Sequence, residues 1–207
     1  MEIKEIKQAE SRTGSGYYSL TLSDGRVLRA DAELVANERL YVGLDLSEQE
    51  LDALIDKCEF ARVRRRALRI IGGRKISRRE LIKRLRDKGE ESDLSEGVTD
   101  HLENIGVIND EDYSSSIVRH YMSKGYGIEK IKSELYRRGI PVELLEDAIE
   151  EYEVAEDVVD KLVHKRLRGE LPNYDELRKT KEYLRRRGFT WDEIGDAIAR
   201  YCEEIDE

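Results

Sequence analysis

Proline, cysteine and tryptophan are nearly missing from this chain: its 207 residues hold two, two and one of them. So few prolines leave long helices uninterrupted, because little interrupts their internal N–H donors. Cys58 and Cys202 stand alone, without a CxxC pair or a Cys/His cluster, so a disulfide framework and a thiolate metal site lack the residues they need. Both are expected as buried or idle thiols. No stretch approaches the roughly 20 apolar residues that cross a bilayer, and the opening Met1-Glu2-Ile3-Lys4-Glu5-Ile6 lacks the basic-then-apolar layout of a signal peptide. A cytoplasmic protein without membrane association is the expectation.

Catalytic vocabulary is equally thin. GxSxG, GxGxxG, HExxH and the P-loop pattern do not occur. His101, His120 and His164 fall in three different helical stretches with no recurring partner that would make one a base. Gly72-Gly73 before Arg74 reads as a helix end, and Asp110-Glu111-Asp112 as acids that complement a helix dipole. The expectation is no enzyme, no cofactor and no metal.

What the chain does have is repetition. Leu85-Arg86-Asp87-Lys88-Gly89, Leu135-Tyr136-Arg137-Arg138-Gly139 and Leu184-Arg185-Arg186-Arg187-Gly188 end alike, with their glycines 50 and 49 residues apart. A period of that length marks one supersecondary unit used three times. Cations in the last turn meet the negative pole of a helix, and Gly takes the left-handed position beyond it. Aligned on those glycines, Ser95, Leu145 and Ile194 coincide, as do Val98, Ala148 and Ala197, and Leu102, Tyr152 and Tyr201.

Helix starts are marked as well. Ser47-Glu48-Gln49-Glu50, Ser77-Arg78-Arg79-Glu80 and Thr190-Trp191-Asp192-Glu193 have the capping-box form, with a relative at Asn173-Tyr174-Asp175-Glu176. Pro141 suits a first helical turn. These marks predict three helices per repeat: about 57–72, 77–88 and 93–105, then 110–124, 127–138 and 141–152, then 154–168, 173–187 and 190–203. Ahead of them, Tyr17 to Leu22 alternates and Asp24-Gly25 predicts a two-residue hairpin turn into Arg26-Val27-Leu28. A strand near 3–9 would complete a small sheet, joined through the connector Arg12 to Gly16. That sheet is expected to pack on the first helices through Leu34, Val35, Leu40 and Val42.

The predicted fold class is therefore mainly α: a tandem repeat of three three-helix modules forming an elongated curved array, with a small N-terminal β-hairpin or sheet. The expected domains are a leader at 1–46, a linking helix with the first module at 47–108, and further modules at 109–153 and 154–207.

The net charge of −9 hides an alternation. Residues 1–59 carry −6, 60–89 carry +11, 90–118 carry −9, 119–139 carry +4, 140–160 carry −9, 161–188 carry +6 and 189–207 carry −6. The +11 block sets thirteen cations against two acids, an excess that intramolecular pairing is not expected to absorb and that suits a polyanionic partner. Helix-turn-helix reading of DNA is disfavoured, because the would-be recognition helix lies in a block of nine acids without Lys or Arg. Candidate contacts are Arg62, Arg65, Arg66, Arg69, Arg74, Lys75, Arg78, Arg79, Lys83, Arg86 and Lys88, with Arg137, Arg138, Arg185, Arg186 and Arg187 as secondary sites.

One family shares this arrangement. Ala67-Leu68, Arg74, Ser77-Arg78-Arg79-Glu80-Leu81, Leu85, Lys88-Gly89, Gly106-Val107-Ile108-Asn109-Asp110 and Tyr113 carry the likeness, followed by Lys124-Gly125-Tyr126-Gly127, Ile131, Leu135 and Gly139-Ile140-Pro141. In order and spacing the chain resembles the RecX regulators of the bacterial recombinase RecA. A monomer is expected, because three repeats with polar outer helices can cap their own array. The resemblance implies a non-enzymatic protein that lies in the groove of the RecA filament on single-stranded DNA. There it would contact subunits, with weak direct DNA contact, and inhibit strand exchange, ATP hydrolysis and co-protease activity. A helical-repeat adaptor for another protein, or an independent DNA-binding protein, is the alternative.

Overall fold

A computed structural model describes residues 1–9, 16–150 and 157–206. Its chain runs through strands β1 (Ile3–Ala9), β2 (Tyr17–Leu22) and β3 (Val27–Asp31). Ten helices follow among the described residues: α1 (Ala32–Asn37), α2 (Glu48–Ile71), α3 (Arg78–Arg86), α4 (Ser92–Asn104), α5 (Asp110–Ser123), α6 (Ile128–Arg137), α7 (Val142–Glu150), α8 (Asp157–Leu167), α9 (Tyr174–Arg187) and α10 (Trp191–Asp206). It divides into two compact units, 1–74 with 81–107, and 75–80 with 108–207. The predicted class, mainly helical with a small N-terminal sheet, is the one observed.

In the first unit the three strands form an antiparallel sheet in chain order. The turn between β2 and β3 has three residues rather than two. Leu22 N–H donates to Arg26 and Gly25 N–H to Leu22, with Gly25 left-handed at φ +86°, the geometry of a turn closed by a glycine bulge. The sheet buries Ile3, Leu20, Leu22 and Ala30 against Leu51, Leu54 and Cys58 of α2. Leu34 and Val35 join that core half-buried and Leu40 is buried, whereas Val42 is 58% exposed, contrary to expectation. Its neighbour Gly43 is drawn to β1 instead, donating to the Ile3 carbonyl. Of the connector Arg12 to Gly16, residues 12–15 lie outside the described residues.

The linking helix and the first helix of the first module are a single 24-residue helix, α2. The capping box at Ser47 starts it as predicted, and no Gly or Pro interrupts 48–71 before left-handed Gly72 ends it. Its later turns bury Ala61, Val63 and Ala67, and α4 buries Ser95, Val98, Thr99 and Leu102.

In the second unit, α5, α6 and α7 share a core of Tyr113, Ile117, Val118, Ile131, Leu135 and Ala148, while α8, α9 and α10 enclose Val163, Leu184, Phe189, Ile194 and Tyr201. The aligned residues Leu85, Leu135 and Leu184 are all fully buried, so the repeat is a packing repeat. Capping boxes close at Asn173 and Thr190, and Gly89, Gly139 and Gly188 each follow their helix with positive φ. Position Tyr152 falls outside the described residues.

Candidate basic interface

Once folded, the candidate cations separate into those held by the protein and those left in solvent. On α2, Arg62 donates two hydrogen bonds to Glu90 at 2.8 and 2.7 Å and a third to Glu59, and Arg66 pairs with the same Glu90. Only 3% of the Glu90 side chain is exposed. Hydrogen bonding from Arg62 holds its carboxyl below the usual glutamate range, against the opposite pull of burial. Arg64 pairs with Glu33 at 2.6 Å. Arg65 lies 3.3 Å over the Tyr17 ring and 3.5 Å from Asp31, which ties α2 to the sheet. Lys75, in the second unit, pairs with Asp112 at 2.5 Å.

Intramolecular pairing therefore absorbs more of the +11 block than its charge sum predicts. The partners come from the leader, Asp31 and Glu33, and from the acidic block beyond the closing glycine, Glu90 and Asp112. What remains exposed, without an ion-pair partner among the described residues, is Arg69, Arg74, Arg79, Lys83, Arg86 and Lys88. Arg78 is half-buried at the start of α3, its backbone N–H donating to Asp110.

The secondary sites are mostly structural in position. Arg137 donates to Glu134 at 2.6 Å, and Arg138 donates to the Tyr113 hydroxyl at 2.6 Å. Burial alone would raise the Glu134 carboxyl, but hydrogen bonds from Arg137 and Lys130 bring it below its ordinary value. Arg185 donates to the Phe189 carbonyl and lies over Trp191. Arg187 donates to the carbonyls of Lys124 (2.6 Å) and Gly125 (3.1 Å) and stacks on Tyr126. Arg186 alone of this group is exposed without a partner among the described residues.

Arg187 belongs to a joint that no motif announced. Gly127 N–H donates to the Arg187 carbonyl at 2.9 Å and Glu129 N–H to the Gly188 carbonyl at 3.0 Å. The last carbonyls of α9 thus cap the first amides of α6, opposite poles of two helix dipoles meeting. Fifty residues earlier Ser77 does the same through its side chain, donating to the Arg138 carbonyl at 2.5 Å. The sequence signal was available: Ser77 and Gly127 hold one repeat position, as do Arg138 and Arg187.

Sequence reasoning also passed over Lys165, Arg166, Arg168 and Lys179, which only the block charge included. The histidines rest on aromatic edges, His101 on Phe60 and His164 on Tyr201, the latter 3.1 Å from Glu204. Among the described residues there is no cluster of His, Cys, Asp or Glu able to hold a metal, and no helix long and apolar enough to cross a membrane.

Residues 109–149 match the family description "RecX, second three-helix domain" and residues 149–198 match "RecX, third three-helix domain". A regulatory protein RecX of Pseudomonas putida (strain GB-1) is 30% identical over 139 residues, which cover 66% of this chain and 89% of the relative. The chain belongs to the RecX family. A RecX of Caldanaerobacter subterraneus subsp. tengcongensis is 24% identical over 197 residues, covering 93% of this chain and 98% of the relative. The crystal structure of RecX from Lactobacillus salivarius matches 69% of this chain and 96% of its own, with 26% identity and a TM-score of 0.62. A second crystal structure of a regulatory protein RecX covers 94% of this chain and 98% of its own at a TM-score of 0.75 and 22% identity, a likeness of fold. The joint at Gly127 and Gly188 therefore connects the second and third RecX domains.

Proposed function

We propose that this RecX chain regulates the RecA recombinase by binding in the groove of the RecA–DNA filament and suppressing strand exchange, ATP hydrolysis and co-protease activity. It works as a cytoplasmic monomer, without catalysis or cofactor, from a leader (1–46) and three modules (47–108, 109–153 and 154–207). The observation that carries this reading is family membership combined with cations left unpaired after folding. Four of these, Arg79, Lys83, Arg86 and Lys88, lie on and just beyond α3, whose buried stripe of Leu81 and Leu85 keeps the opposite face in solvent. Charges in that position favour acidic filament surface or phosphates.

The test is recombinase ATPase on single-stranded DNA with wild type and with Lys83→Glu and Arg86→Glu combined. Both side chains are exposed, so the thermal midpoint is expected to hold while inhibition weakens and the remaining effect becomes less salt-dependent. Undiminished inhibition would remove these cations from the interface. Capture by recombinase filaments, compared with bare DNA at moderate salt, separates a filament regulator from an adaptor and from a plain DNA binder.

A further inference from the structure

A cleft of about 480 Å³ lies between the end of α8 and the middle of α9, in the third domain. Lys165, Arg166 and Arg168 line one side and Lys179 the other, all exposed and none in an ion pair among the described residues. This contrasts with α2, where Glu90, Asp31 and Glu33 take up Arg62, Arg64, Arg65 and Arg66. Two carboxylates share the lining, Glu170 and Glu176, and the second is occupied as the capping partner of the Asn173 N–H. The excess is two positive charges. At the base are Leu167 and Thr180, both buried.

The rim is held in place. Arg168 and Gly169 are both left-handed, at φ +60° and +81°, a conformation that costs a non-glycine residue about 1 kcal/mol or more. Buried Tyr201 secures them: its hydroxyl accepts from Gly169 N–H and donates to the Glu170 carbonyl, both at 2.9 Å. Arg166 is steadied by the Tyr183 ring 4.7 Å away. The turn that carries Arg168 is thus fixed at the backbone on either side of Gly169, while its side chain stays exposed.

The geometry points to this cleft as a phosphate-binding site for the backbone of a single-stranded nucleic acid. Leu167 is its one apolar lining side chain and no aromatic ring is among the lining residues, so it lacks the aromatic platform on which bases stack. Charge without base readout recognises phosphodiesters independently of sequence. The inference rests on the filament reading only for the class of partner, and it adds a contact in the third domain away from α3.

The experiment measures fluorescence anisotropy of a labelled oligothymidylate from low to moderate salt. It compares the full-length wild type with a triple variant, Lys165→Gln, Arg168→Asn and Lys179→Gln; Asn tolerates the left-handed backbone. Losing three phosphate contacts should reduce the slope of log affinity against log salt by about 2, with an unchanged thermal midpoint. If the triple variant does not fold, the single variants Lys165→Gln and Lys179→Gln should each reduce the slope by about 0.7.

An unchanged slope would overturn the assignment, as would wild type that does not bind the oligonucleotide at low salt. So would micromolar pyrophosphate binding, measured by calorimetry at matched ionic strength, that the variant loses while keeping the oligonucleotide. Failure of the filament reading shows elsewhere, as wild type that leaves recombinase ATPase untouched.

Discussion

A β-carbon on Gly127 would lie 2.3 Å from the carbonyl oxygen of Gly188, and one on Gly188 would lie 2.3 Å from the Lys130 amide. Two backbones meet here with no space for a methyl group. By contrast a β-carbon on Gly89, the corresponding glycine of the first module, meets nothing within 4 Å. The closing glycine thus does two jobs, ending a helix in every module and seating a neighbouring helix at this joint.

Gly127→Ala isolates the second job, because Gly127 has no positive φ and its only penalty is overlap with backbone that cannot swing aside. We expect both Gly127→Ala and Gly188→Ala to cost at least about 3 kcal/mol, lowering the thermal midpoint by about 6 °C or more. Gly89→Ala carries the left-handed penalty alone and should cost about 1 kcal/mol. Equal melting of all three variants would contradict a packed joint.

Arg187 clamps the same joint with a planar fork on two carbonyls. Arg187→Lys keeps the charge but loses the paired donors and the stacking on Tyr126, with an expected loss of about 1–2 kcal/mol. Arg186→Lys, one residue earlier and exposed, should leave the melt unchanged. Calorimetry of the two variants side by side makes the comparison.

Glu90 supplies a pH dependence. Its folded carboxyl titrates below the unfolded value because Arg62 hydrogen-bonds to the ionised form. A group depressed on folding stabilises the protein above its unfolded pKa, near 4.3, and that contribution disappears as pH falls through the folded value. Glu90→Gln should lose about 1–3 kcal/mol at pH 7, since two arginines are left facing a neutral amide. The deficit should shrink toward pH 3. Melting curves of both proteins across that interval should converge; parallel curves would show that Glu90 is not the titrating stabiliser.

Burial pushes the Cys58 thiol up to about 11, against the sheet core. At pH 8 it is protonated and covered, whereas Cys202 is only half-buried. A maleimide should modify Cys202 in the native protein and reach Cys58 only on unfolding. Peptide mapping of labelled protein checks the order.

Local signals were legible where they act over one helical turn. Ser47 with Glu50, Thr190 with Glu193, and each closing glycine mark element ends by hydrogen bonds spanning a few residues. The aligned Leu85, Leu135 and Leu184 showed which face of each helix would be buried. The length of α2 was less legible, because the capping box at Ser47 marked a linking helix while the repeat marked a module helix from about 57, and the unbroken stretch between them makes the two one. The candidate interface was legible only as net charge: thirteen cations stood out in the first module, and the four around the α8–α9 cleft did not.

The reason is range. By itself the sequence determined helix-rich repeats, the caps that start and stop several of their helices, and an alternation of basic and acidic blocks, since each is set by propensity, capping or counting along the chain. Which cations are spent was decided only by tertiary structure. Arg62 finds Glu90 28 positions away, Arg64 finds Glu33 31 positions away, and Arg187 finds the Lys124 carbonyl 63 positions away. Coulomb pairing and carbonyl capping depend on distances that the fold alone creates, and among the described residues α3 and the α8–α9 cleft are two places they leave with positive charge facing water.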